Sequence, residues 1–182
     1  MEGIGKRLLG GFTAALIGYM WGWIWGWSLF DPNSDLWALL AGIGALAGLA
    51  IGLLGGFWRK SAEALSATLG LYLGWVLRTW LFGDKTGGWG IVVMALGAAI
   101  GIWLARRYGL QKRPAATISL LSVLYIGFFG GFIIYSLFVF GIFGGQGPHT
   151  SLSQAPWVIG CGLVGWLVSL RRRKPVETVE KS

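Results

Sequence analysis

The chain has 182 residues, 55% of them hydrophobic and 12% charged, with a net charge of +8. A soluble domain carries about a quarter charged residues, whereas here the few charges separate apolar runs of roughly 17 to 25 residues, the length of a bilayer-crossing helix. Composition therefore excludes an ordinary soluble core and predicts an all-α integral membrane protein. The net positive charge invites a nucleic-acid partner, but its placement argues against one, because Lys6 and Arg7, Arg59 and Lys60, Arg106 and Arg107, Lys112 and Arg113, and Arg171 to Lys174 all flank apolar segments.

Six apolar spans follow in chain order: about 8–30, 36–58, 62–82, 89–105, 115–142 and 157–170. The first holds the run GYMWGWIWGW, four tryptophans and three glycines within residues 18–27. A backbone inside lipid must satisfy its own hydrogen bonds, so runs this long are helices rather than isolated strands. On a helix Gly18, Gly22 and Gly26 form one bare stripe, flanked by Trp21 and Trp25 on one side and Trp23 and Trp27 on the other. Although Lys6 and Arg7 resemble the start of a signal peptide, the run is too long for one and ends in no small-residue cleavage site. The first span is expected to stay as a membrane helix.

Span two carries a matching stripe at Gly44, Gly48, Gly52 and Gly56, and span three has Gly70 and Gly74. Spans four and five add Gly97 with Gly101 and Gly127 with Gly131. Stripes of this glycine-zipper kind let two backbones approach closely and gain van der Waals contact that lipid cannot match. Trp37, Trp58, Trp80, Trp89, Trp103 and Trp157 fall near span ends, where an aromatic belt is expected. Trp21 and Trp23 do not: they lie roughly 10–14 Å inside the end of span one, so their indole N–H groups need partners there. They either fill space between helices or line a path.

A shift of 52 residues superposes Gly18 on Gly70, Gly22 on Gly74, Trp23 on Trp75, Leu29 and Phe30 on Leu81 and Phe82, and Trp37 on Trp89. Gly127, Gly131, Phe132, Leu137, Phe138 and Trp157 form a fainter third copy. The chain reads as three Gly-rich hairpins related by internal parallel repeats, an arrangement that some transporters share. Loops 31–35 and 83–88 are not basic and 143–156 is uncharged, while the other connections hold nearly all the Lys and Arg. Basic connections stay in the cytoplasm. A single six-helix domain over 1–174 with both termini inside an inner or plasma membrane follows, with 175–182 as a short cytoplasmic tail.

The one charge well inside a span is Arg78, continuing the Gly70 and Gly74 stripe where the first repeat has Gly26. Intramembrane ionisable residues mark functional sites by default. Near the outer end, Arg78 could instead reach the headgroups or pair with Asp84. Glu63 serves as a first-turn acid for its helix dipole, and no Asp or Glu lies deep in a span, which counts against coupled transport. His149 stands alone in an outer loop and Cys161 is the only cysteine, so neither a metal, a cofactor nor a disulfide is expected. No serine has a base at defensible spacing, and an enzyme is not expected.

Two functions remain. One is a passive channel or facilitator for a small uncharged or anionic solute, with Arg78, Trp21, Trp23 and Trp75 as candidate pore or ligand lining. The other is a non-catalytic accessory subunit, docking through its Gly stripes to copies of itself or to other membrane subunits. Gly faces filled within the chain favour the first, and Gly faces turned to lipid favour the second.

Overall fold

The computed structural model describes residues 2–30, 35–82, 88–138 and 151–171, and among these it is helical with no strand. Helix α1 spans Glu2–Leu29, α2 Leu36–Leu53, α3 Ser61–Phe82 and α4 Gly88–Arg107. Helix α5 runs Pro114–Ser136, with a wider π-type stretch over Val123–Gly130, and α6 covers Ser151–Arg171. Among the described residues, four helices are long and apolar enough to cross a membrane: Gly3–Leu29, Leu36–Leu53, Gly88–Arg107 and Pro114–Ser136. The 83–87 and 143–150 loop residues, with Asp84 and His149, lie outside the described residues, as do residues 31–34 and the tail.

The backbone divides into two compact units, Met1–Thr117 with Thr150–Leu152, and Ile118–His149 with Ser153–Ser182. In the first unit α1 and α2 form an antiparallel pair. A Cβ added at Gly18 would strike the Gly44 carbonyl, one at Gly22 would strike Leu40 and Ala41, and one at Gly26 would lie 2.6 Å from Trp37 Cα. Gly48 and Gly52 meet Ala14 and the Gly10–Gly11 backbone in the same way. Helices α3 and α4 repeat the arrangement, with Gly70 against Gly97 and Gly74 against Met94. Within the second unit, α5 and α6 meet at Gly127 and Gly162 and at Gly131 and Val158.

Span two ends earlier than its hydropathy suggests. Helix α2 stops at Leu53, where Gly55 adopts φ +80°. The Gly56 N–H then donates to Ile51 O and the Gly55 N–H to Gly52 O, the pair of bonds that closes a Schellman C-terminus. Gly56 therefore lies in a turn, where an added Cβ would meet only Ile51, and the packed stripe stops at Gly52.

The turn continues through a 3-10 segment, Phe57–Arg59, and Trp58 donates from Nε1 to Lys6 O at 2.8 Å. A second short 3-10 segment, Leu110–Lys112, follows α4 after Gly109, whose φ is +58°. Gln111 ties the two connections together. Its Oε1 accepts from the Ala62 N–H at 2.9 Å and its Nε2 donates to Trp58 O at 3.0 Å. Arg106 adds an ion pair to Glu63 at 2.9 Å, across the same end of the α3–α4 pair.

Candidate functional site

The α3 sequence leaves polar side chains on the face that packs inward. Ser61, Ser66, Thr68, Arg78 and Thr79 are all buried. Two of the hydroxyls bond back to their own helix: Thr68 donates to Ala64 O at 2.8 Å and Thr79 to Trp75 O at 3.0 Å. On α1, Thr13 donates to Leu9 O and Ser28 to Ile24 O in the same i−4 pattern. Such back-bonding lets a hydroxyl enter an apolar interior while keeping its lone pairs free to accept.

Two of those lone pairs are used between helices. Trp21 donates its indole N–H to Thr68 Oγ1 at 3.0 Å, which supplies the partner that a tryptophan this deep requires. Arg78 donates from Nη1 to Ser28 Oγ at 3.4 Å, and Met94 Sδ lies 3.5 Å from the same hydroxyl. Arg78 is only 3% exposed. Its side chain runs among α1, α3 and α4 rather than along an outer surface toward headgroups.

Room for the guanidinium comes from across the helix pair. A Cβ at Gly90 would sit 2.7 Å from Arg78 Nε and 2.9 Å from Cγ, so any side chain there would displace Arg78 from the position it holds. On the first helix pair, a Cβ at Gly26 would instead meet the Trp37 backbone and Cβ.

The candidate aromatic residues Trp23 and Trp75 meet about one turn of α3 before Arg78. Trp23 meets Trp75 edge-on with ring centroids 5.3 Å apart, and Tyr72 lies 5.8 Å from Trp75. Trp75 is buried, whereas Trp21 and Trp23 are half-buried. The four candidates thus join α1 to α3, Arg78 toward one end and Trp21 nearer the middle. Ser28, Thr68 and Gly90 belong to the same constellation and are not marked by spacing in the sequence. A polar residue at the interface position of a Gly-striped helix was the available signal.

A buried guanidinium is a fixed positive charge in a low-dielectric setting, where electrostatic interactions are several times stronger than in water. It can attract an anion or donate to a neutral solute's oxygen, and it repels cations. Among the described residues no group of three or more His, Cys, Asp or Glu could hold a metal ion. Comparison with known protein families, curated proteins and solved structures finds no match for this chain.

Proposed function

We propose that the chain is a six-span membrane protein, with both termini on the cytoplasmic side of an inner or plasma membrane. In this reading it acts as a passive channel or facilitator for a small uncharged or anionic solute. The observation that carries the proposal is the burial of Arg78 among α1, α3 and α4, about one turn of α3 from the Trp23–Trp75 pair. A positive donor at a constriction selects against cations by its field and for solutes with acceptor atoms. The absence of acidic residues deep in any span fits passage without a coupling ion.

Helices α3 and α6 complete the six spans in this reading; at 22 and 21 residues each is about 30 Å long, enough for the hydrocarbon core. The repeat draws support from matched pairing, since Gly18 meets Gly44 where Gly70 meets Gly97. The channel reading is preferred to an accessory subunit because Gly18, Gly22, Gly44, Gly48, Gly70 and Gly74 lie against another helix of the same chain.

The test is transport by the purified protein alone. Proteoliposomes should take up at least one of urea, glycerol or halide faster than protein-free vesicles do. Uptake no faster than in empty vesicles, together with other subunits copurifying from native membrane, would favour the accessory role instead.

A further inference from the structure

A second site lies at the opposite end of the first unit from Arg78. Because glycines bring α1 and α2 so close, few side chains rise beside their seam, and an open cleft of about 400 Å³ runs along it. That volume lies within the range that takes small organic ligands. Ile17 and Gly18 line it from α1, Ala47 and Gly48 from α2, Phe57 and Lys60 from the turn after α2, and Ala64 from α3. That turn starts at the left-handed Gly55; Phe57 is buried and Lys60 is exposed.

Among the described residues lining the cleft, Lys60 alone is charged. Its surroundings reinforce the sign. Arg59 is exposed next to it, and Lys6 packs its ammonium 5.8 Å from the Trp58 ring centroid. The nearby acid, Glu63, is held by Arg106 at 2.9 and 3.1 Å, so its charge is already offset. An apolar channel leading from a cationic rim along a lipid-facing helix seam has the charge pattern of an amphiphile with an anionic head. Basic pockets between membrane helices recognise anionic lipid headgroups by this complementarity.

We propose that the cleft binds an anionic phospholipid, with one acyl chain along the α1–α2 seam and its phosphate on Lys60. The full-length protein in detergent, titrated with phosphatidylglycerol or phosphatidylcholine and read by native mass spectrometry, tests it. Phosphatidylglycerol should bind about fivefold more tightly, the worth of one lysine beside an anionic headgroup. Lys60→Gln should erase that preference without lowering the melting temperature, because Lys60 is exposed. Ala47→Phe, which fills the cleft from an exposed position, should weaken both lipids. Soluble glycerol phosphate should fail to displace the bound lipid; displacement would mean that the site reads a free phosphate and not a lipid. Equal binding of the two lipids to the wild type would overturn the proposal, as would undiminished phosphatidylglycerol binding by Lys60→Gln or by folded Ala47→Phe.

Discussion

Gly42 and Gly48 occupy the same helix and differ in what an added methyl group would meet. At Gly42 nothing lies within 4 Å of an ideal Cβ. At Gly48 the Cβ would fall 2.6 Å from the Ala14 carbonyl carbon and 3.0 Å from the Ala15 nitrogen. Comfortable contact needs about 3.5–4.0 Å, and both neighbours are backbone, which cannot rotate aside. The helices would have to separate by about 1 Å, and overpacking of this kind costs about 1–3 kcal/mol. Alanine recovers about 1 kcal/mol over glycine through helix propensity at either position. Gly42→Ala should therefore gain up to about 1 kcal/mol, and Gly48→Ala should lose up to about 2 kcal/mol. At about 2–4 °C per kcal/mol for a chain of this size, thermal unfolding in detergent followed by tryptophan fluorescence should separate the two variants clearly. A Gly48→Ala protein that melts at or above Gly42→Ala would refute the reasoning that the α1–α2 seam is backbone against backbone.

Two further outcomes are expected. Gly90→Ala puts a methyl group 2.7 Å from Arg78 Nε, so it should alter solute uptake by displacing the guanidinium while leaving the helical circular-dichroism signal intact; unaltered uptake would separate Gly90 from the site. With Cys161 replaced by Ala, single cysteines at Asp35 or Gly88 should react with an impermeant thiol reagent added outside sealed cells, whereas those at Arg59 or Lys112 should react only after permeabilisation. The reverse pattern would invert the proposed topology.

The helix-to-helix faces were the most legible part of the sequence, because a bare stripe at i and i+4 has few uses except close approach. Gly18, Gly22, Gly44 and Gly48 show it: each faces backbone of the partner helix. The same letter misled at the end of α2. Gly56 continues the four-residue spacing, yet Gly55 before it takes the left-handed conformation and ends the helix. Periodicity does not distinguish a packing glycine from a terminating one.

The site was legible in part. Arg78 stood out as a charge within an apolar span, but its burial depends on Gly90, twelve positions along the chain and on another helix. Trp21 needed a donor's partner, and the sequence could not pick Thr68 from the other hydroxyls. Gln111 gave no sign at all, because its role as a latch exists only once two turns, each shaped by its own glycine or aromatic residues, come together. Patterns within one helix can be read from spacing; pairings between helices require the fold.

The most direct test of a solute path at Arg78 is the uptake rate of proteoliposomes carrying Arg78→Lys or Arg78→Gln, measured beside their melting temperatures. Lysine keeps the charge but loses the planar five-donor fork, and glutamine loses the charge as well. The account predicts a changed rate with Lys and a larger change with Gln, in both cases with the protein folded and melting near the wild-type temperature. Wild-type uptake by both variants would contradict it.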